Sequence, residues 1–525
     1  MTPLDTAETV VLLVGIGVAL AAISQRIDVP TPVVQLAGGA VLAFLPWTPS
    51  VELDPQLVLL LFIAPLLYVD AFFAPLRELQ RNVVSIALLS SVLVLATAGI
   101  VAVVAHQVVG LPWAVAFALG AALAATDALA PTQVLGHEGV DPRLLAVIQG
   151  ESLFNDGVAL TLLRLAGIAA VTGSFSPASA AGDLALAVVG GLVVGTAVAW
   201  LVAQVRRRAD DVLVEGGVSL LTPFAAYIAA EAIDGSGILA AVAAGLYMGK
   251  RTHDQVEPLA RVEIEAAWRI ISFVLNSLLF LLVGLQAKDI FGAVEKPAVE
   301  IALAGAAIVA AVIGTRLAWA MTIAPIWRGA ASRMAQRVRP PSSRRWRLAL
   351  GWSGVRGSVA LAAALSIPKT TDAGDPVFGR ELAIVLTLIV IVATLVVQGL
   401  TLRPLVRRLG LSDPGGEQRE EDLAVQAASD AALRLLDEIA ERNGLDEGDR
   451  QWLAREHRLR RKRAGANGDG EHAADVLDAA ARTDQELLDA ARAAVVDLED
   501  RGEVRSDVAQ RVIRRLDLDS ARLRE

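Results

Sequence analysis

The chain contains no cysteine and only five histidines among its 525 residues. Without cysteine it cannot form a disulfide, a thiolate metal site or a cysteine nucleophile. The histidines are scattered and none forms an HExxH pair, which argues against a zinc hydrolase. Only 20% of the residues are charged, and the formal net charge of −9 argues against a nucleic-acid binder. We therefore expect no cofactor and no nucleic-acid partner.

Hydrophobic residues make up 54% of the chain, and most of them lie in long apolar runs before residue 410. A run of roughly 20 apolar residues forms a helix long enough to cross the hydrocarbon core of a bilayer. The sequence predicts an all-α polytopic membrane protein with about thirteen such helices. The predicted spans are 7–25, 31–46, 56–73, 83–107, 112–135, 146–172, 182–204, 213–233, 236–249, 267–287, 297–326, 347–367 and 379–402.

The negative charge is confined to the end of the chain. Residues 411–525 hold 28 acidic and 19 basic side chains, whereas residues 1–410 hold 28 of each. This contrast predicts two domains, a transmembrane domain over 1–410 and a helical C-terminal domain over 411–525. Helical patterns in the second domain cover 420–440, 448–461, 488–498 and 508–516.

Basic residues in the loops predict the orientation. The loops between predicted spans fall into two alternating sets, one for each side of the membrane. The set that begins with the loop of Arg26 carries 20 Lys and Arg residues, and the other set carries four. Cytoplasmic loops are the ones enriched in Lys and Arg. The N-terminus is therefore expected outside a plasma membrane and the C-terminal domain in the cytoplasm.

Seven ionisable side chains fall in the middle of the predicted spans, where a charge is costly and indicates function. For Glu231 and Arg316, an ion pair that only holds two helices together is an equally good interpretation. Arg164 is expected to extend its side chain toward the membrane surface. The seven are Asp127, Glu151, Asp156, Arg164, Glu231, Arg316 and Arg356.

The segment 150–163, GESLFNDGVALTLL, concentrates oxygen ligands. On a helix, four polar side chains share an arc of about 140°: Glu151, Ser152, Asn155 and Asp156. Hard monovalent cations bind oxygen ligands, so this face predicts a cation site. The alternative, a polar seam between packed helices, is disfavoured by the two acids.

Two other spans carry signals of an interruption. In the segment 120–135, Pro131 lacks a backbone donor and disfavours helix at Ala130, which predicts a break after Thr126 and Asp127. A plain proline kink is the alternative. Broken helices at mid-membrane expose carbonyls and helix ends, from which secondary transporters build ion sites.

The segment 351–368 brackets Arg356 with three glycines. Small residues at this spacing permit close helix packing or unwinding. A buried guanidinium needs a carboxylate, which favours a role beyond packing. The glycines are Gly351, Gly354 and Gly357.

Together these elements resemble the monovalent cation:proton antiporter family, which includes animal sodium/proton exchangers and bacterial NhaP-type antiporters. Residues 151–157 match its Asn-Asp motif, and Thr126-Asp127 looks like its Thr-Asp-Pro motif, with Ala128 in place of the proline. Further similar segments are FIAPLLYVDAF at 62–72, the run 221–246, the run 273–286 and GTRLAW around Arg316. The resemblance covers about residues 8–408.

The resemblance implies a fold of thirteen helices in inverted repeats. Six helices would form an ion-carrying core around two crossed, unwound helices, and the others a homodimer interface. Asp156 would bind sodium or a proton, with Thr126 and Ser152 as further sodium ligands. Glu151 would pair with Arg356, and Asn155 would orient that pair. Asp127 would offset the partial positive charge of the helix ends at the crossing.

The activity implied is secondary antiport of sodium against protons, serving intracellular pH and cation homeostasis. The Asn-Asp variant of the motif implies one cation per proton, hence electroneutral exchange, with potassium or lithium as possible substrates in place of sodium. A channel, or an antiporter of the same fold for a different ion, would also place charges in the membrane. A membrane enzyme is a further interpretation, but it would lack an intramembrane histidine as the base for Ser152.

Overall fold

The computed structural model describes residues 3–27, 29–45, 54–173, 177–207, 212–255, 258–292, 294, 296–323, 343–413 and 416–442, with single positions between 447 and 458. Throughout these residues the regular structure is helical, apart from one isolated β-bridge between Thr370 and Pro376. The chain divides into two compact units, Met1–Ser412 and Asp413–Glu525. The predicted helices at 488–498 and 508–516 lie outside the described residues, as does most of 448–461.

The first unit contains nineteen α-helices in the part of the chain that is described. They are α1 Pro3–Ile27, α2 Thr31–Ala43, α3 Pro55–Val58, α4 Ala64–Phe72, α5 Leu76–Arg81, α6 Val83–Leu88, α7 Val94–Val104, α8 Trp113–Ala124, α9 Leu129–His137, α10 Pro142–Thr172, α11 Pro177–Arg206, α12 Val212–Glu231, α13 Gly237–Gln255, α14 Pro258–Leu285, α15 Ala287–Gly292, α16 Ala298–Ala318, α17 Arg344–Trp352, α18 Ser358–Leu365 and α19 Arg380–Arg408. Short π-helical stretches continue some of them, at Leu59–Ile63, Leu89–Leu93, Ala105–Val109 and Trp319–Ile323.

The multi-pass membrane architecture predicted from hydropathy is confirmed. Among the described residues, nine helical segments are long and apolar enough to cross a bilayer. The remaining four predicted spans correspond to the shorter apolar helices Thr31–Ala43 and Gln56–Phe72, to α13, and to the interrupted pair α17 and α18. The count of thirteen crossings stays a prediction.

Local signals fix the ends of α10, the helix that carries the polar face. The Asp141 side chain accepts a hydrogen bond from the Arg143 N–H at 2.9 Å, and Pro142 occupies the first helical position. Both are favoured helix starts, because Asp satisfies a free amide and proline has none to satisfy. At the opposite end, Gly173 adopts the left-handed conformation (φ 67°) that commonly ends helices.

Two helix bundles can be distinguished by their buried apolar contacts. We call the first the core bundle: α7, α8, α10, α16, α18 and α19 share one apolar cluster, which also takes in parts of α2 and α14. We call the second the flanking bundle: α4, α11, α12 and α13 form another cluster with the first half of α14. The helix that carries the polar face, α10, therefore belongs to the core bundle.

A buried carboxylate joins the end of α9 to the end of α19. Glu138, 1% exposed, accepts hydrogen bonds from Arg403 Nε at 2.8 Å and Arg407 Nε at 2.7 Å. Ser412 Oγ donates to the same carboxylate at 2.8 Å. The hydrogen bonds from Arg407, with those of Arg403 and Ser412, lower the pKa of Glu138 from 4.5 to about 2.

Glu138→Gln is expected to destabilise the membrane unit in a pH-dependent way. Because the folded pKa lies below the ordinary value, the stabilisation is present above about pH 4.5 and is lost as the pH falls toward 2. Hydrogen bonds to a charged group contribute on the order of 2 kcal/mol. Thermal unfolding in detergent should therefore show a deficit at pH 7 that shrinks toward pH 3. Glu300→Gln, at an exposed helix start, serves as the control, and a deficit independent of pH would contradict this account.

The second unit is described over α20, Gly416–Arg442. This helix covers the predicted helical run 420–440. Just before it, Asp413 accepts a hydrogen bond from Arg419 at 2.5 Å.

Candidate functional site

Two interrupted helices cross in the core bundle. One interruption separates α8 from α9 at residues 125–128, and the second separates α17 from α18 at residues 353–357. The two unwound segments touch, since the Asp127 N–H donates to the Val355 carbonyl at 2.9 Å. The predicted pair of crossed, unwound helices is therefore present.

The position of the first break differs from the prediction. We expected Pro131 to interrupt the helix at Ala130, but the unwound residues are 125–128, and Pro131 lies in the first turn of α9. The amides of a first helical turn have no intrahelical acceptor, so a proline there costs no hydrogen bond. Thr126 and Asp127 consequently lie within the break, where their backbone groups are free for contacts outside the helix.

Asp127 lies at the start of two half-helices. Its Oδ1 accepts a hydrogen bond from the Leu129 N–H at 2.8 Å, at the first turn of α9. A methyl group added at Gly357, which precedes α18, would overlap the Asp127 carboxylate. Glycine is thus required for this close approach. Helix starts carry partial positive charge, so an acidic side chain is well placed at both of them.

The oxygen-rich face of α10 packs against the first break. Ser152 Oγ donates to the Thr126 carbonyl at 2.7 Å, and Asn155 Nδ2 donates to Thr126 Oγ1 at 2.5 Å. Asp156 is 1% exposed, and neither its Oδ1 nor Asn155 Oδ1 has a hydrogen-bond partner among the described residues. Buried polar atoms are almost always paired. Two unpaired oxygens on adjacent residues of α10 therefore indicate a place where a ligand binds.

Glu151, on the same face, is paired with a different arginine from the one predicted. It forms a bidentate ion pair with Arg316 of α16, in which Arg316 Nη2 donates to Glu151 Oε2 at 2.7 Å and Nη1 to Oε1. The two side chains are 2% and 4% exposed. Gly354 permits this arrangement, because any side chain there would collide with the Arg316 guanidinium.

The predicted Glu151–Arg356 pair was therefore wrong, as was the idea that Asn155 orients it. Arg356 is 1% exposed and lies in the second unwound segment. Its Nη1 donates to the Gly354 carbonyl at 3.3 Å, an acceptor that unwinding exposes, and its backbone N–H donates to Thr394 Oγ1 at 3.1 Å. The guanidinium thus has a local backbone acceptor, while Arg316 reaches Glu151 from the facing helix.

Two cavities lie between the bundles, at opposite ends of the segment 55–73. One, of about 380 Å³, is lined by Asp70, Leu129 and Gln133 together with residues of α2 and α14. The second, of about 680 Å³, is lined by residues of α10, α12 and the segment 56–60, including Arg164 and Glu231. The Arg164 side chain is half-exposed and meets acidic groups there. Its extension toward the membrane surface stays a prediction.

Sequence reasoning missed Thr394 and the backbone carbonyls of the second break. Thr394 is fully buried on α19, as are Thr387 and Gln398. The spacing of seven and four residues places the three on one helix face, so this periodicity was available as a signal. The described residues contain no group of three or more His, Asp or Glu that could hold a metal ion. The candidate cation ligands are therefore one carboxylate, hydroxyls and carbonyls.

Comparisons with known proteins agree with this geometry. The family model described as sodium/hydrogen exchanger, transmembrane, matches residues 10–408. An uncharacterized Na(+)/H(+) exchanger of Mycobacterium tuberculosis is 33% identical over 443 residues, covering 83% of this chain and 80% of that protein. A sodium, potassium, lithium and rubidium/H(+) antiporter of Bacillus subtilis is 32% identical over 407 residues, 74% of this chain and 60% of that protein.

The fold has a counterpart among solved structures. The sodium proton antiporter MjNhaP1 from Methanocaldococcus jannaschii superposes with a TM-score of 0.62 at 18% identity, covering 79% of this chain and all of that chain. This likeness concerns the fold alone. The family match over residues 10–408 and the 33% identity over most of both chains show that the protein belongs to the sodium/hydrogen exchanger family.

Proposed function

We propose that this protein is a secondary antiporter, not an enzyme, that exchanges sodium for protons across the plasma membrane. The observation that carries the proposal is the buried, unpaired Oδ1 of Asp156 beside two crossed, unwound helices. A buried carboxylate oxygen without a partner is costly. A bound proton or a bound cation would each remove that cost, and one carboxylate oxygen cannot hold both.

Sodium would bind between Asp156, Ser152 and Thr126. The Ser152 hydroxyl uses its proton on the Thr126 carbonyl, so its lone pairs remain available to a cation. Thr126 Oγ1 accepts one hydrogen bond from Asn155 and keeps a second lone pair. Asn155 would then orient the Thr126 hydroxyl, and its own unpaired Oδ1 offers a further oxygen.

The charged neighbours would set the electrostatics of the cycle without carrying protons. Both carboxylate oxygens of Glu151 accept hydrogen bonds from Arg316, which leaves neither oxygen free for a transported ion. Arg356 supplies a second buried positive charge, and Asp127 offsets the helix starts of α9 and α18. In this assignment Asp156 is the single group that alternates between proton and cation.

Coupling would arise from alternating access. The core bundle carries the site, and the two cavities between it and the flanking bundle open at opposite ends of the segment 55–73. Movement of one bundle against the other would expose Asp156 to one side at a time. Because Asp156 must be loaded with a cation or a proton in either state, the two fluxes become linked.

The remaining assignments extend those from the sequence. The loop charges support an external N-terminus and a cytoplasmic C-terminal domain. Lithium and potassium are alternative substrates, supported by the similarity to a Bacillus antiporter named for several alkali cations. A homodimer and a role in cytoplasmic pH and cation homeostasis complete the proposal.

Flux measurements in sealed proteoliposomes test this function. An outward proton gradient should drive uptake of sodium. The extent to which lithium and potassium inhibit this uptake ranks the three cations as substrates. The control is the same vesicle without protein. Cation flux that continues in the absence of a proton gradient and moves no protons would indicate a channel and would refute the proposal.

The exchange is expected to be electroneutral. Asn155 cannot titrate, and both carboxylate oxygens of Glu151 are occupied by hydrogen bonds from Arg316, so one proton leaves for each sodium ion bound. A membrane potential imposed with a potassium ionophore, in sodium-loaded vesicles, should then leave the final sodium gradient set by the pH gradient alone. A gradient that shifts with the potential would mean more than one proton per cation, with Asp127 as the next candidate carrier.

A further inference from the structure

An ion bridge joins the core bundle to the flanking bundle at one end of the molecule. Arg164 of α10 donates through Nη2 to Asp234 Oδ1 at 2.8 Å, and its Nη1 lies 4.0 Å from Glu231 Oε2. The two acids belong to the end of α12 and the turn that follows it. We call this group of Arg164, Glu231 and Asp234 the Arg164 bridge.

The acidic side of the bridge is held in place by backbone contacts. Asp234 has a φ of 58°, the one positive φ of a non-glycine residue among those described. The Gly235 N–H donates to the Ala230 carbonyl at 2.9 Å and closes the turn around it. Glu231 Oε1 accepts the Gly237 N–H at 3.1 Å, at the start of α13. The acids are therefore fixed to the flanking bundle.

The basic side of the bridge lies on the helix that carries the candidate site. Arg164 follows Asp156 by eight residues on the same continuous helix, which places it about 12 Å along the helix axis. Arg164 and Glu231 line the 680 Å³ cavity between the bundles, and Thr161 lines it one turn closer to Asp156. A displacement of the core bundle by a few ångströms would break the 2.8 Å contact.

We propose that the Arg164 bridge is a latch, which stabilises the arrangement of the two bundles seen here and opens in each transport cycle. This inference rests on the proposed alternating-access function. It assigns to Arg164, Glu231 and Asp234 control over how far the two bundles separate along the 680 Å³ cavity, a role separate from ion binding.

The solvent exposure of the three side chains limits how strongly the Arg164 bridge can shift the equilibrium between arrangements of the two bundles. The side chains of Arg164, Glu231 and Asp234 are 50%, 42% and 77% exposed. An ion pair this exposed shifts an equilibrium by a factor of about two to five, because water screens it. A weak latch suits a link that must open and close in every cycle, whereas a buried pair such as Glu151–Arg316 would hold the bundles in one state.

Thiol labelling measures the latch directly, because the chain has no cysteine of its own. Thr161→Cys places a thiol in the 680 Å³ cavity, and Ser272→Cys places one in the 380 Å³ cavity. The alkylation rate of each thiol by N-ethylmaleimide, which reaches both sides of a membrane, reports how open each cavity is. The full-length protein in proteoliposomes is used throughout.

Asp234→Asn should raise the rate at position 161 by about two- to five-fold and lower the rate at position 272. Asparagine tolerates the left-handed conformation at this turn, so the fold should persist. Arg164→Gln, which removes the opposite charge of the bridge, should change both rates in the same directions. Asp183→Asn is the matched control, since that exposed carboxylate lies near the same end of α10 and forms no ion pair among the described residues.

Unchanged rates in Asp234→Asn, or the same change in Asp183→Asn, would overturn the latch. Sodium/proton exchange by the unmodified protein is measured in the same vesicles. Absence of that exchange would refute the proposed function, while the labelling rates would still decide whether the bridge controls cavity opening. The two failures are therefore distinguishable.

Discussion

Asp156→Asn is expected to reduce sodium/proton exchange to the level of vesicles without protein. The amide has nearly the same shape as the carboxylate, so the packing of this 1% exposed side chain is preserved. It cannot ionise, and it therefore loses both the negative charge that attracts sodium and the group that takes the proton. The variant can therefore neither bind sodium nor take up the proton.

Fluorescence dequenching of a pH dye trapped in proteoliposomes measures this loss after a sodium pulse. Asp156→Glu is the matched variant, because it keeps the charge and moves it by one methylene, and it should retain part of the activity. Asp183→Asn, an exposed carboxylate, should behave as the parent protein. Exchange near the parent rate in Asp156→Asn, at normal protein incorporation, would rule out the role given to this residue.

Glu151→Gln and Arg316→Gln should each destabilise the protein by about 3–5 kcal/mol, because each leaves a buried charge without its partner. The pair is bidentate and both side chains are almost completely buried. The double variant should lose less than the sum of the two single losses, since it removes both charges together. Unfolding in detergent, followed by loss of tryptophan fluorescence or of monodispersity, measures all three.

A double-mutant cycle for Glu151 and Arg356 tests which of the two buried arginines is the partner of Glu151. Arg356 has a backbone acceptor of its own at Gly354 and no hydrogen bond to Glu151. Its coupling energy with Glu151 should therefore be smaller than that of Arg316. A larger coupling for Arg356 would mean that the pair expected from the sequence, and not the observed one, stabilises the folded protein.

The polar face of α10 could be predicted from the sequence because it depends only on helical periodicity. Residues 151–156 lie on one continuous helix, so their relative directions follow from about 100° per residue. The crossing of the two interrupted helices was implied only by the family resemblance, but an interruption in each segment was predictable, from Pro131 in one and the glycines around Arg356 in the second. Each inference used information local to one segment.

Contacts between segments could not be predicted from the sequence. Arg316 and Arg356 are both mid-span cations, and either could pair with Glu151 as far as residue type is concerned. Arg316 is the partner because α16 directs its side chain toward Glu151 on α10. The first break was misplaced because proline is tolerated in the first turn of a helix, so Pro131 marks a start and not an interruption. The contact of Arg164 with Asp234 depends on a turn conformation (φ 58°) that residue type alone does not dictate.

Proton release on sodium binding tests the central claim most directly, namely that one carboxylate holds either ion. Sodium is added to purified protein in weakly buffered detergent solution, and the change in pH is recorded, with choline as the control for ionic strength. Up to about one proton should be released per bound cation, since a cation ligand must be deprotonated. The Asp156→Asn variant should release none. Release of the same size from Asp156→Asn would contradict the account.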